Sequence, residues 1–119
     1  LENSNIKTDQ VIKIEDAKET VGEAIFSKLY LDTIKVGKIF VVTSDWHKQR
    51  VISIFSRVFN NSYDISYYEI NGEKSLFLIE SSNNSLRKFL EWFKTDYSKN
   101  NKLLLEALIQ NHNSYQKND

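Results

Sequence analysis

The run Lys38-Ile39-Phe40-Val41-Val42-Thr43 constrains this chain most, because short β-branched and aromatic runs of this kind form strands buried on both faces. Helical periodicity flanks it on each side. Before it, Val21, Ala24, Ile25 and Leu29 recur at helical spacing, which predicts a helix from about Ala17 to about Asp32. Asp16, with Glu19 three residues on, has the reciprocal capping pattern of a helix start. After the run, His47, Val51, Ile54, Phe55 and Val58 form the inward stripe of a second helix, and Asn60-Asn61 ends it. Gly37 closes the first connection. A strand so flanked belongs to a layered α/β domain whose parallel strands are joined by right-handed crossovers.

The remaining segments extend that pattern. Val11–Ile14 reads as a short strand ahead of the first helix, and Tyr63–Ile70 alternates as a strand. Asn71-Gly72 is a strong hairpin signal, so Ser75–Glu80 is expected to return as an antiparallel strand. An amphipathic helix follows, with Ser82 or Asn83 near its start and Leu86, Phe89, Leu90 and Phe93 on one face. Lys102–Gln110 reads as a last helix with Leu104, Leu105 and Leu108 inward, and the chain from Asn111 is a polar tail. The expected fold is an open, mostly parallel α/β sheet with helices on both faces and an antiparallel edge hairpin over 63–80. Residues 1–112 would form one domain and 113–119 a tail. Two parallel crossovers are few for such a sheet, so a strand–helix unit is expected to be missing ahead of Leu1.

Composition narrows the function. With 16 basic and 16 acidic residues the net charge is zero, which argues against a nucleic-acid binder and against docking on anionic membrane. The absence of cysteine excludes disulfides, thiolate catalysis and zinc–thiolate sites, and His47 and His112 alone do not make a multi-histidine metal site. The longest apolar runs are too short to span a bilayer, and no signal peptide is visible, so the expected location is the cytoplasm. The chain contains no methionine, and a lost N-terminal segment could have carried an address or anchor.

Chemistry concentrates in Val41–Arg50. In open α/β sheets, ligands bind beyond the carboxyl ends of the strands, where the next helix starts. Thr43 and Ser44 offer hydroxyls at such a strand end, Ser44 or Asp45 would cap the helix, and its first N–H groups favour an anion. His47 and Arg50 converge there, suited to a phosphate or carboxylate, with His47 as the candidate acid or base. The plainer alternative makes His47 a core-edge hydrogen-bonding group, Asp45 only a cap and Arg50 a surface ion-pair partner. Thr20 and Glu23 are three residues apart on the first helix and within reach of a neighbouring loop, although solvent is the default place of Glu23. Glu15 ends the first strand at its carboxyl edge, as a ligand group or as a helix-start charge. The abundant aromatic residues lack basic interleaving and read as core.

Two motifs resemble a known family. Thr20-Val21-Gly22-Glu23-Ala24 and Val42-Thr43-Ser44-Asp45-Trp46-His47-Lys48-Gln49-Arg50-Val51 are similar to the Thr-x-Glu-Asn-Ala-like and Val-Thr-Ser-x-x-His-x-x-Arg-Ala-like motifs of the SanA/YdcF-like domain. The first departs at Gly22 and Glu23, and the second has Val51 for alanine. The resemblance covers roughly Val11–Phe59 and implies a Rossmann-like fold with a real site. It also implies a nucleotide-like ligand, S-adenosylmethionine among them, and names no reaction. Two functions therefore stand side by side. One is a small-molecule site for an anionic or nucleotide-like ligand, catalytic or not. The other is an interaction or scaffold domain that uses the last helix and the aromatic hairpin as an apolar surface. The oligomeric state is left open.

Overall fold

Helix α1 (Thr20–Ile34) opens the part of the chain described by a computed structural model, which covers residues 19–71 and 76–115. Strand β1 (Lys38–Ser44) follows after a short turn, then α2 (Lys48–Phe59) and β2 (Asp64–Ile70). A long helix α3 (Leu76–Trp92), a 3-10 turn over Thr95–Lys99, α4 (Asn101–Asn111) and a second 3-10 turn over Asn113–Tyr115 complete it. The architecture is mixed α/β, with a parallel pair of strands. No helix of the described residues is long and apolar enough to cross a membrane.

The β1–α2–β2 crossover sets the frame. β1 and β2 pair in parallel from Lys38 opposite Asp64 to Ser44 opposite Ile70. Alternation then puts Ile39, Val41 and Thr43 of β1, with Ile65 and Tyr67 of β2, on one face. α1 and α2 pack on each other, and the strand residues Ile39, Val41, Ile65 and Tyr67 pack against their core. Val21, Ala24 and Ile25 of α1 meet Val51, Ile54, Phe55, Val58 and Phe59 of α2, with Phe89 of α3 and Leu104 and Leu108 of α4 closing the cluster. Burying each of the larger side chains contributes about 1.5–3 kcal/mol. α2 stops at Asn60, whose left-handed backbone (φ 47°) suits asparagine and lets its N–H donate to the Ser56 carbonyl at 3.0 Å.

Three expectations need correction. Leu76 and the residues after it are helical, so the antiparallel return strand over Ser75–Glu80, and with it the edge hairpin over 63–80, is overturned. Ile79, Ser82, Leu86, Phe89 and Phe93 fall on one helical stripe, and α3 therefore begins well before Ser82. A four-residue apolar run fits strand and buried helix alike, and the serine on the stripe hid its continuity. Second, helices do not cover both faces of the sheet among the described residues. Phe40, Val42, Tyr68 and Ile70 on the far face are 46%, 54%, 53% and 59% exposed. The Lys38–Thr43 strand is thus covered on one face only. Third, the caps differ. Glu19 caps α1, and His47 holds the cap position of α2 without a side-chain cap bond, so neither Ser44 nor Asp45 serves there. The predicted strand Val11–Ile14, Glu15, Asp16 and Gly72 lie outside the described residues.

Candidate functional site

A short connection returns the chain from the end of α1 to the start of β1, so the first turn of α1 lies at the carboxyl end of the strand. Glu19 builds that turn. Its backbone is extended, and its carboxylate accepts the N–H groups of Val21 and Gly22, both at 2.7 Å. Thr20, the next residue, is buried at 4% exposure. The turn leaving β1 faces it. There the Asp45 N–H donates to the Ile70 carbonyl at 2.8 Å, the His47 N–H donates to the Ser44 carbonyl at 3.0 Å, and Asp45 Oδ1 accepts from Trp46 N at 2.8 Å.

His47 and Arg50 both reach Thr20 from this turn. His47 Nε2 lies 3.0 Å from Thr20 Oγ1, and Arg50 Nη2 donates to the same oxygen at 2.5 Å. On the other side of the imidazole, Nδ1 lies 3.3 Å from Oγ of Ser82, a buried serine of α3. The Trp46 ring flanks the imidazole with centroids 5.1 Å apart. Arg50 is the unusual member. Its Nε is buried without a hydrogen-bond partner, and among the described residues no carboxylate lies within ion-pair distance of its guanidinium.

Burial and the Arg50 charge push the His47 pKa down to about 4, so the ring is neutral at pH 7. Burial also lowers the Arg50 pKa, opposed by the charges of Glu19 and then Glu23. The Glu23 pKa is raised by burial and by Glu19, with Arg50 opposing. The two carboxylates thus bear on Arg50 through space without bonding it. A guanidinium held this way keeps bonding capacity for an anion. Among the described residues no three His, Asp or Glu side chains gather as a metal ion would need.

The structure brings Thr20, His47 and Arg50 together and leaves the other candidates around them. Thr43 is buried on the covered sheet face, whereas alternation sets Ser44 on the opposite face. Asp45 holds the turn, and Glu23 lies on the flank of α1, its side chain reaching solvent although the neighbouring residues partly desolvate its carboxyl. Glu15 lies outside the described residues. Sequence reasoning missed Ser82 as a site residue and placed Glu19 only as a capping-box partner. The signal for Ser82 was its place on the apolar stripe of α3. His112 and Tyr115 were missed too. His112 Nε2 lies 3.4 Å from Glu19 Oε2, and Tyr115 packs over the first turn of α1, where a Cβ on Gly22 would meet its hydroxyl at 1.9 Å. Glycine at position 22 is what allows that approach.

Comparisons with protein-family models, curated proteins and solved structures found no match to this chain.

Proposed function

We propose that the protein binds a small anionic or nucleotide-like ligand where β1 passes into α2, in a Rossmann-like arrangement of the SanA/YdcF-like kind. The observation that carries this reading is Arg50, a guanidinium whose Nε is buried without a partner and which no described carboxylate bonds. A buried donor left unpaired costs about 1–3 kcal/mol, a cost that an incoming phosphate or carboxylate would offset. The start of α2 adds to it. The N-cap residue His47 makes no side-chain cap bond, so the first N–H groups and dipole of α2 favour negative charge beside Arg50. In this reading Arg50 holds the anion, neutral His47 offers an acid–base nitrogen, and Thr20 and Thr43 orient the ligand, with Asp45 and Glu23 at the margin. The motif residues of the family resemblance, Thr20, His47 and Arg50, are the ones that meet. A cytoplasmic setting, where nucleotides and sugar phosphates are abundant, fits it.

Thermal melts with nucleotides, sugar phosphates and S-adenosylmethionine test the reading. A ligand at 100 times its dissociation constant stabilises by about 2.7 kcal/mol. The expected result is a shift in the parent protein that Arg50→Met and His47→Ala abolish. No shift with any member of the panel, or one that survives in both variants, would overturn the reading.

A second reading rests on the open sheet face. Phe40, Val42, Tyr68 and Ile70 form a contiguous apolar strip, and Phe40 and Tyr68 pack ring to ring at 5.7 Å. Such a strip suits a scaffold or interaction domain. Light scattering on Val42→Lys and Tyr68→Lys beside the parent distinguishes the two, since the ligand site lies on the other side of the strands.

A further inference from the structure

We infer that Ser82 is a positioning residue of this site, accepting the Nδ1–H of His47 and so leaving Nε2 as the lone-pair nitrogen that faces Thr20. The inference deepens the proposed ligand site and rests on the reading that His47 works there. Its starting point is geometric. The imidazole lies between two buried hydroxyls, Thr20 Oγ1 at 3.0 Å from Nε2 and Ser82 Oγ at 3.3 Å from Nδ1. A neutral ring carries one proton, so one hydroxyl donates to it and the other accepts from it.

The surroundings decide which. Thr20 Oγ1 already accepts a hydrogen from Arg50, so its own O–H is the proton it has left to place, and Nε2 is the acceptor at hand. Among the described residues, Thr20 Oγ1 has no hydrogen-bond partner besides His47 and Arg50. Ser82 differs. It lies inside α3, where a serine hydroxyl can return its proton to the carbonyl one turn back while its oxygen accepts from elsewhere. Hydrogen bonds then run in one direction, from Arg50 through Thr20 and His47 to Ser82. The opposite order would leave the buried Thr20 hydroxyl proton with no acceptor among the described residues, which costs about 1–3 kcal/mol.

The consequence is a division of roles that the β1–α2 turn alone does not supply. A histidine with Nδ1 protonated presents Nε2 as a proton acceptor toward Thr20 and the Arg50 guanidinium. The group that fixes this comes from a helix 35 residues further along the chain. Ser82 acts through His47 and touches no ligand.

Nitrogen-15 NMR of the intact chain labelled in histidine tests the inference, with the His47 ring assigned by the signals lost in His47→Gln. At pH 7 the parent should show His47 with a protonated Nδ1 and an unprotonated Nε2. Ser82→Ala should shift the pair toward the Nε2–H form, and Ser82→Thr, which keeps the hydroxyl, should restore it. A parent ring protonated on Nε2, or a Ser82→Ala ring unchanged from the parent, would overturn the inference. The parent spectrum decides alone if a variant fails to fold. Because no ligand is added, the outcome is separate from the melts. Protonated Nδ1 in a protein that no anion stabilises keeps this inference and removes the ligand reading, and stabilisation with a proton on Nε2 does the reverse.

Discussion

Each end of α1 meets a basic side chain, the buried Lys28 of α1 itself and the half-buried Arg50 of α2, and the two are treated differently. Toward its carboxyl end, Lys28 (6% exposed) donates to Asp32 Oδ2 at 2.9 Å and to Asn101 Oδ1 at 2.8 Å. Asn101 Nδ2 donates to the same Asp32 oxygen at 2.7 Å, and the Tyr63 hydroxyl donates to the other oxygen at 2.5 Å. Burial would raise the Asp32 pKa, but the bonds from Tyr63, Asn101 and Lys28 and the Lys28 charge outweigh it and hold the carboxyl below its ordinary value. Every group there has a partner, so the cluster staples α1 to α4 and to Tyr63, the residue just before β2. At the amino end, Arg50 has a hydroxyl but no described carboxylate, and one N–H without a partner. A closed network stabilises a fold; an incomplete one marks a place where something else can bind.

The largest effect should come from opening the closed end. Asp32→Ala removes the counter-charge and leaves the Lys28 ammonium buried, and a loss of roughly 3 kcal/mol is expected in urea unfolding. Arg50→Met should stay within about 1 kcal/mol of the parent, because it sheds a desolvated charge along with a single bond and keeps the aliphatic stem. Equal losses in the two variants would erase the distinction between the ends.

Acid and base separate the ends further. The folded pKa of His47, about 4, lies below its ordinary 6.5, so the unfolded chain binds the proton first. Stability is therefore full above pH 6.5 and declines as pH falls towards 4, and His47→Gln should flatten that part of the profile. Asp32, held below its ordinary 3.8, adds a further loss only at still lower pH. Burial, then the Asp32 bond and charge, raise Tyr63 to about 12, so the closed end weakens as pH rises from 10 through 12. Tyr63→Phe should remove that alkaline decline, read by the urea midpoint at each pH.

The smallest effect concerns the turn that carries Thr20. Gly22→Ala in the intact chain pits the crowding of Tyr115 against a gain of up to about 1 kcal/mol in helix propensity. In a Tyr115→Ala background the clash is gone, and only the Glu19 carboxylate oxygen, at 3.1 Å, remains to give way. The same substitution should then stabilise by about 0.5–1 kcal/mol, and a stability unchanged there would show that the Tyr115 contact is not what requires glycine.

Much of this was legible in the sequence, for reasons that differ by element. α1, β1, α2, β2 and α4 announce themselves by period and by their stops, such as Asn60 after Phe59. The first half of α3 did not, because Asn71-Gly72 and a short apolar run look the same before a strand as before a helix. At the site, Thr20, His47 and Arg50 followed from the strand end and from the family resemblance, since both depend on local spacing. Ser82 did not, because its contact spans 35 residues and a serine on an apolar stripe reads as a flaw in the stripe. Lys28 and Asp32 look like an ordinary solvent-exposed i, i+4 pair. Nothing local shows that Tyr63 and Asn101, 31 and 69 residues from Asp32, close over it.

The claim that the Arg50 end is open to an anion is tested most directly by following the Arg50 Nε–H resonance while inorganic phosphate, and then adenosine monophosphate, is titrated into the protein. The account predicts a saturable shift of that signal, with the exposed Arg57 and Arg87 signals unmoved as internal references. An Arg50 signal that stays in place, or that moves only in step with Arg57 and Arg87, would contradict it.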